Sequence, residues 1–457
     1  MSIGYCKGCY EKQKKIDELE EEIKRLKNKL RYQERTAREG YFGSSTPSSK
    51  KPIKENATEE NRKKKGGGKE GHKGYGRKGI NEEEADIIKE VKAERECPEC
   101  RVKLKDKGRK KRKVIDCEIV KVKKIIYYLD NKECPRCGRK FKGKVEGILP
   151  KSLYTNRFLA YVAIEHYIRG IPLGRLAEQL KVGYGSLIGA LHKMAKIFQR
   201  VPEELIKKYR KSAVKHADET GWRNDGENGY AWLFANNKIS IYKFSKSRGA
   251  AIPKEIFGTK KVKGVLVVDR YNGYNKVPCK IQYCYAHLLR EVEDLEKGFP
   301  DNSEIKAFVG SFAPLLSEAI RLRGENISKR KFKRRANKIK RKIIKIVNAK
   351  AKHPGIQRIQ DIFRNNEQRL YHWTKSRDIP ADNNFAEREL RPLVISRKLS
   401  FGSQSDNGAK TREILMTVLH TLRKQTDNPH ERLQNALNIY ATNPSIDLFH
   451  ILFPLNT

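Results

Sequence analysis

Three acidic residues lie in settings that suit phosphoryl-transfer chemistry. Asp218 ends a short apolar run, Asp269 follows a strand-like run of valine and leucine, and Glu387 lies in a helical segment. The chain around them carries a formal net charge of +45. A basic protein that seeks polyanions is not expected to gather carboxylates beside its ligand unless they hold a cation. Two or three carboxylates holding two Mg²⁺ ions about 3.5–4 Å apart suit in-line attack on a phosphate. The sequence therefore predicts a metal-dependent enzyme that acts on DNA strands.

The composition favours a nucleic-acid-binding protein of several domains. The 457 residues include 100 Lys and Arg against 55 Asp and Glu. This length exceeds one ordinary domain, and the positive charge favours double-stranded DNA, because neutralising phosphates releases counterions. No apolar run approaches the ~20 residues of a membrane-spanning helix, and no signal peptide is evident. We expect a soluble protein without a membrane partner, located in the cytoplasm and associated with the nucleoid.

Paired cysteines predict structural zinc. Cys97, Cys100, Cys134 and Cys137 form two Cys-x-x-Cys pairs. The residues between them, 111–129, are rich in Val, Ile and Tyr and suit a small β-ribbon. Four thiolates in tetrahedral geometry make a closed Zn²⁺ site, which stabilises a unit with little core of its own. We therefore expect a four-cysteine zinc finger over residues 91–150.

The first 90 residues predict a short helix and a linker. Within residues 1–40, Ile and Leu recur at heptad spacing over 16–30, which is typical of a short coiled coil; an amphipathic helix packed on its own chain fits the same pattern. Cys6 and Cys9 form a lone pair, which is a weak metal signal. Residues 41–90 lack periodicity and are rich in Gly, Ser and Lys, so we expect a flexible basic linker.

Residues 151–210 predict a helical region that binds DNA. The stretch 173–187 is similar to a helix-turn-helix. In it, Ala177 permits close helix contact, Gly183 permits the turn and Ser186 could begin the second helix. An ordinary helical hairpin explains the pattern about as well.

Short strands are expected over residues 211–300, the first part of the catalytic core. Asn236 and Asn237 indicate a hairpin turn, and a helix should begin near Ala286. This order suits the mixed sheet of a ribonuclease-H-like core, with Asp218 on the first strand and Asp269 just past the fourth. The five predicted strands cover residues 212–217, 230–235, 239–244, 264–268 and 280–284.

A basic helical insertion is predicted at residues 301–375. Its apolar residues recur at helical spacing and should pack in a core. Residues 376–457 then supply the second part of the core and the C-terminal helices, of which the face 414–422 should pack on the sheet. The apolar positions of the insertion are Phe332, Ala336, Ile339, Ile343 and Ile346.

Three blocks of the sequence resemble the acidic motifs of the insertion sequence 66 family of DDE transposases. The coil, the linker and the paired-cysteine finger occur in that family in the same order, so the resemblance covers most of the chain. Asp382 departs from the pattern, because a threonine usually precedes the two asparagines; as a helix N-cap it would serve the same role. The matching blocks are 216–222, 268–274 with 284–290, and 383–392 with 397–403.

The resemblance implies a catalytic triad of Asp218, Asp269 and Glu387 that binds two Mg²⁺ or Mn²⁺ ions. It also implies a multidomain α/β (α+β) protein whose ribonuclease-H-like core is interrupted by a helical insertion. The activity expected is a DNA transposase that cleaves strands at element ends and transfers them into target DNA. Because the two DNA ends of the element must be brought together, we expect a homodimer or a larger synaptic assembly of the protein. Small accessory proteins, which related elements often encode, would be further partners.

Basic residues near the triad are candidates for DNA contacts. Arg290, Arg388 and Arg391 could bind phosphates, or could form structural ion pairs instead. On the insertion, one face could follow a DNA backbone, although a run of charge is usually only solvated. That face includes Lys338, Arg341 and Lys342.

Four further residues have predicted supporting or structural roles. Cys284 and His287, at a strand-to-helix junction, are expected to support Asp269 or to pack in the core. Glu219 should point to the opposite face of its strand from Asp218. Glu389 should lie well round the helix from Glu387.

Two other functions compete with the transposase prediction. One is a transposase-derived DNA-binding regulator that no longer cuts, and the intact set of three acids argues against it. The other is a ribonuclease-H-like DNA nuclease of repair or resolution. The long insertion and the N-terminal DNA-binding array argue against that one, because such nucleases are usually compact.

Overall fold

The computed structural model describes residues 145–454 without a gap and shorter parts before them. The chain divides into two units, residues 52–126 and residues 1–51 with 127–457. Every element labelled below belongs to the second unit. The earlier described residues are 12, 15, 16, 18–23, 26, 83, 99, 101, 102, 122–133, 135, 137 and 140–142.

Most of the predicted zinc finger and linker lies outside the described residues. This holds for Cys97, Cys100 and Cys134, and for the pair Cys6 and Cys9, whereas Cys137 is described and exposed. A small antiparallel hairpin pairs β1 (Asn131–Glu133) with β2 (Lys140–Lys142) on either side of the second cysteine pair. The described part of the predicted ribbon, 122–129, forms no strand, so the hairpin lies later than predicted.

The described positions of the predicted coiled coil are helical. Ile16, Leu19, Ile23 and Leu26 are each about half exposed. A stripe of this kind suits a partner helix, and the coiled coil remains a prediction.

In the continuous part of the structure, from residue 145 on, four α-helices precede the sheet. They include the predicted helix-turn-helix, but its second helix begins at Tyr184, two residues before Ser186. Lys181 makes the turn in the left-handed conformation (φ 52°), whereas Gly183 has an ordinary φ of −65°. The N–H of Val182 closes the turn onto the carbonyl of Ala177. The helices are α1 (Asn156–Ala163), which continues as a π-helix (Ile164–Ile168), α2 (Leu173–Leu180), α3 (Tyr184–Ile197) and α4 (Val201–Arg210).

A five-stranded mixed sheet forms the centre of the fold. Its order is β5-β4-β3-β6-β7; β3 pairs antiparallel with β4 and parallel with β6, β5 is antiparallel to β4, and β7 is parallel to β6. All five predicted strands are confirmed. They are β3 (Val214–Asn224), β4 (Glu227–Ala235), β5 (Ser240–Ser245), β6 (Val265–Val268) and β7 (Lys280–Tyr283).

Strand β3 runs seven residues beyond its predicted end. Asp225 and Gly226 have φ values of 52° and 76°, which suit a tight hairpin turn, so β3 and β4 stay paired up to Asn224 and Glu227. The second turn forms as predicted, since the Asn236 side chain accepts the N–H groups of Lys238 and Ile239. Strand β3 is therefore 11 residues long, and Asp218 lies near its middle.

Helices follow the sheet strands and complete the mixed α/β fold. Helices α7 to α9 lie between α6 and α11, within the range predicted to be a helical insertion. The apolar stripe of α8 is buried as predicted, except that Val347 replaces Ile346 and so keeps the four-residue spacing from Ile343. The helices are α5 (Ala251–Phe257), α6 (Tyr285–Gly298), α7 (Ser303–Leu322), α8 (Lys329–Val347), α9 (Pro354–Asn365), α10 (Glu367–Leu370), α11 (Asn384–Ser400), α12 (Asp406–Arg423), α13 (Pro429–Thr442) and α14 (Leu448–Leu452), with 3-10 turns at Asn272–Tyr274 and His372–Thr374.

Helix α12 covers the edge strand β5. The N–H groups of Ser240 and Tyr242 donate to the hydroxyls of Thr421 and Thr417, both at 3.0 Å. The four-residue helix spacing matches two residues of strand, so one helix face satisfies an edge that would otherwise pair with another chain. The predicted apolar face 414–422 is buried against the sheet. Among the described residues, no helix combines the length and apolarity needed to cross a membrane.

Candidate active site

Asp218 occupies a buried position on the central strand. It pairs with Leu233 of β4, is 2% exposed, and accepts the N–H of Glu219 at 3.0 Å. Burial raises the pKa of the Asp218 carboxyl well above its usual range, and the charges of Glu219, Asp269 and Glu387 raise it further. A cation beside this carboxylate would relieve both effects.

Asp269 lies directly after β6, beside Asp218. The parallel register pairs His216 with Val267, and its continuation by two residues brings Asp269 level with Asp218. Neighbouring strands lie about 4.8 Å apart. Asp269 is 3% exposed, and its Oδ1 accepts the N–H of Tyr271 at 3.0 Å. The sheet alone thus brings two carboxylates together.

Glu387 reaches the site from the first turn of α11. Its side chain is 24% exposed, and its Oε1 accepts a hydrogen bond from Nη2 of Arg290 at 3.1 Å. Nε2 of His287 lies 3.8 Å from the same oxygen. The structure therefore places Arg290 and His287, two predicted site residues, beside the third acid.

Asn383 joins the three sequence blocks of the site. Its fully buried side chain donates through Nδ2 to the carbonyl of Ala217 at 2.8 Å, and its Oδ1 lies 2.9 Å from Nδ1 of His216. Its backbone N–H donates to Sγ of Cys284 at 3.1 Å. The strand of Asp218, the start of α6 and the helix of Glu387 therefore meet at one residue. Asn383 is a residue of the site that was not predicted, although two consecutive asparagines at a helix start were a usable signal.

Asp382 and Cys284 complete this junction. Asp382 accepts the N–H of Asn384, the first residue of α11, at 2.9 Å. It does so from one residue before the N-cap position, which Asn383 occupies, so the predicted N-cap is displaced by one residue. Burial raises the pKa of the Cys284 thiol to about 12. A thiol in that state is a poor metal ligand, because thiolates bind metals.

The two neighbouring glutamates are held by structural partners. Glu219 is fully buried, receives Nε of Arg248 at 3.1 Å and Nη2 at 2.5 Å, and accepts the hydroxyl of Tyr274. Glu389 accepts from Nζ of Lys424 at 2.7 Å and from the hydroxyl of Ser240 at 3.0 Å. Both acids are therefore committed to the fold.

Apart from Arg290, the predicted DNA contacts outside the triad lie on two exposed helix faces. Arg388 and Arg391 are exposed on α11. Arg397 on the same helix was not predicted; it donates to the Thr220 hydroxyl at 3.0 Å and to the Gly221 carbonyl at 2.6 Å. The remaining three, exposed on α8 while its buried face packs on α7 and α9, are Lys338, Arg341 and Lys342.

The donor set suits a hard divalent cation, but the third acid is engaged elsewhere. Asp218 and Asp269 offer oxygen ligands of the kind that Mg²⁺ prefers. Within the described part of the chain, no group of three or more His, Cys, Asp or Glu side chains is arranged to hold a metal ion. Glu387 would join the two aspartates as a ligand only after leaving Arg290.

The sequence is similar to one family model and to two curated proteins. The family model described as Transposase IS66 family matches residues 151–411, more than half of the chain. Uncharacterized protein y4qI of Sinorhizobium fredii (strain NBRC 101917 / NGR234) is 22% identical over 347 residues, which are 68% of this chain and 64% of that protein. Uncharacterized protein y4jD of the same strain is 23% identical over 240 residues, 47% of this chain and 45% of that protein. The matched region thus spans less than two thirds of either relative.

Proposed function

Because the chain belongs to the IS66 transposase family, we propose that it is a DDE-type enzyme that cleaves DNA strands at element ends and transfers them into target DNA. Asp218, Asp269 and Glu387 are the catalytic residues of this proposal. One observation carries it: the register of β3 and β6 brings Asp269 level with Asp218, and Glu387, from a separate element, lies near enough for its charge to raise the pKa of Asp218 as well. Carboxylates gathered in this way on a chain of net charge +45 suit divalent ions beside a phosphate.

The sheet supports a ribonuclease-H-like core. Three antiparallel strands, β5, β4 and β3, are followed by two parallel ones, β6 and β7. The first acid lies on the first of these strands in sequence, and the second lies just past the fourth. Helices α7 to α9 separate this part from α11, as the helical insertion of the family implies.

Each residue of the site has a distinct role in the proposed reaction. Asp218 and Asp269 would hold Mg²⁺ or Mn²⁺, and Glu387 would complete the ligand set. The chemistry that two bound ions supply is activation of water, and later of a DNA 3′-hydroxyl, with stabilisation of the leaving oxygen. Arg290, 27% exposed, can exchange Glu387 for a phosphate of the DNA. Asn383 keeps the start of α11 on β3.

The test is cleavage of a duplex carrying the element's own ends. We expect Asp218→Asn, Asp269→Asn and Glu387→Gln each to lower Mg²⁺-dependent cleavage on the order of a thousandfold, while DNA binding is retained. Glu389→Gln is the matched control, since it removes an acid from the same helix without touching the site, and its cleavage should stay close to that of the wild type. Cleavage that persists in all three site variants would end the assignment.

The assembly and the structural metal are also proposals. A homodimer or larger synapse would bring two element ends together, and small accessory proteins could take part. Structural Zn²⁺ at the two cysteine pairs, and location at the nucleoid, follow from the sequence and family resemblance. Wild-type protein that binds the ends but never cuts them would favour the DNA-binding regulator instead.

A further inference from the structure

The outer face of α11 combines basic and apolar side chains that the proposed chemistry does not use. Ile395 is 54% exposed, Leu399 is 45% exposed, and Phe401, just past the helix, is 75% exposed. Residues spaced three or four apart share one face of a helix. The α11 surface comprises Arg388, Arg391, Ile395, Lys398, Leu399 and Phe401, all of them exposed.

The α11 surface carries three cations and no acid. The acids of this helix are Glu387 and Glu389, and both are paired, Glu387 with Arg290 and Glu389 with Lys424. A row of Arg and Lys on one helix face attracts phosphates. The charge therefore favours a nucleic-acid strand over an apolar protein partner.

Phe401 has an uncommon backbone conformation with backbone hydrogen bonds on both sides of it. Its φ is 58°, in the left-handed region that bulky residues rarely adopt. The N–H of Phe401 donates to the Arg397 carbonyl at 2.7 Å, and the N–H of Ser403 donates to the Arg223 carbonyl at 2.9 Å. Between them, a Cβ on Gly402 would meet the Arg223 carbonyl oxygen at 2.1 Å, so only glycine allows this approach. The fold thus constrains the backbone at Phe401, and its aromatic ring is exposed to solvent.

We propose that the α11 surface binds a DNA strand that leads to the active site, and that an unpaired base of this strand stacks on Phe401. Arg388, Arg391 and Lys398 would contact phosphates along the strand, with apolar support for the base from Ile395 and Leu399. Aromatic rings beside basic groups bind single strands in this way. This inference rests on the proposed function, because it takes Glu387 as the position of the scissile phosphate.

The helix predicts where the stacked base lies. Glu387 and Phe401 are fourteen residues apart, or about 21 Å at the rise of an α-helix. Neighbouring phosphate charges of one DNA strand lie about 3.4 Å apart along the helix axis. The stacked base should therefore be about six nucleotides from the scissile phosphate.

The test uses full-length protein and element-end duplexes with one unpaired 2-aminopurine, moved from three to nine nucleotides from the cleavage site on either strand. Without divalent ions, wild-type protein should quench the fluorescence most near the sixth position. Phe401→Trp should keep the quenching. Phe401→Asn should lose it and bind that duplex on the order of tenfold more weakly, as expected for one base–aromatic stack.

The chosen variants separate stacking from folding. Asn tolerates the left-handed conformation, so Phe401→Asn should unfold at the wild-type urea concentration or above it. Ile439→Ala, which removes a 39% exposed side chain from α13, is the control and should bind and quench as wild type. Wild-type quenching and affinity in Phe401→Asn would overturn the inference. So would a Phe401→Asn protein whose only change is its oligomeric state without DNA, because the surface would then join two copies of the chain.

The outcomes also separate this inference from the proposed function. Normal cleavage with no dependence on Phe401 rejects only the α11 surface. Quenching that depends on Phe401, in a wild-type protein that never cleaves its ends, supports the surface and rejects the strand-transfer chemistry.

Discussion

The central sheet and helix α11 hold their acids in opposite ways. The sheet presents Asp218 and Asp269 almost fully buried on adjacent parallel strands. Helix α11 presents Glu387 at the surface, held by Arg290 across 97 residues of sequence. The sheet half of the site is thus fixed by backbone hydrogen bonds, whereas the helix half depends on side chains that DNA or a metal ion can displace.

This difference indicates where the fold carries the energetic cost of the site. Burial, and then the neighbouring carboxylates, oppose the ionisation of Asp218 and raise its pKa. Glu219, its neighbour on β3, is instead neutralised by Arg248. Strand β3 therefore has two consecutive acids of opposite effect: Asp218 destabilises the fold and Glu219 stabilises it. This pattern is expected where function competes with stability.

The largest expected effect on stability comes from replacing each of these two neighbours on β3 in turn. Glu219→Gln removes the carboxylate that is hydrogen-bonded to the mostly buried Arg248, although the charge of Asp269 stays near, and should lower the free energy of unfolding by about 3 kcal/mol. Asp218→Asn removes a repelled buried charge and should raise that free energy at neutral pH without metal. Urea unfolding of both variants measures the two changes.

The pH dependence of stability provides a further test of these two substitutions. Asp218 has a raised pKa in the folded state, so its ionised form opposes folding above the ordinary aspartate pKa of about 4. The advantage of Asp218→Asn should therefore grow as the pH rises above that value. Equal destabilisation by both substitutions would contradict the division between a site acid and a structural acid.

Acid should weaken the helical layer on the sheet. Burial lowers the pKa of His420 on α12 to about 4, against about 6.5 for an unfolded histidine. The unfolded chain therefore takes up a proton first, and stability that is fully present above pH 6.5 falls by up to about 3 kcal/mol as the pH falls to 4. Urea unfolding from pH 7 to 4.5 should show a weaker pH dependence in His420→Gln than in the wild type. The exposed His450→Gln is the matched control, and an identical slope in all three proteins contradicts the prediction.

The junction between sheet and helix should give the next smaller effect. Asn383→Ala removes two side-chain hydrogen bonds and leaves the buried Ala217 carbonyl unsatisfied, which should cost about 2 kcal/mol of unfolding free energy. Cleavage should fall more than this loss of stability explains, because α11 loses its anchor on the strand of Asp218. Asn384→Ala, one residue later and partly exposed, is the control. A stability loss with wild-type cleavage by the folded fraction would show that the sheet and helix need no such anchor.

The same division separates what the sequence could predict from what it could not. The strands before Asp269 and the apolar stripe of α8 follow from local periodicity, which needs no knowledge of the partner element. The length of β3 was missed because it depends on pairing with β4, although Asp225 and Gly226 were a local signal for the turn. The sheet half of the site could therefore be predicted almost completely from local sequence patterns.

The contacts of the helix half could not be predicted from local sequence patterns. Arg290 pairs with Glu387, and Arg397 with Thr220, over distances of 97 and 177 residues. No spacing rule links such positions, because the contact exists only after the insertion has folded and brought α11 back to β3. The sequence could thus indicate that Glu387 belongs to the site, but not that Arg290 holds it.

The smallest expected effect tests whether that hold restrains the third acid. Arg290→Gln frees Glu387 and should raise the affinity of DNA-free protein for Mn²⁺ about fivefold, the equivalent of one partly exposed ion pair. Titration calorimetry measures the affinity without any need for cleavage. Arg388→Gln removes an equal charge from an exposed position next to Glu387, so it corrects for the general gain of a less positive surface. Equal gains in both variants would show that Arg290 acts only through its charge, and the helix half of the site would then be as preformed as the sheet half.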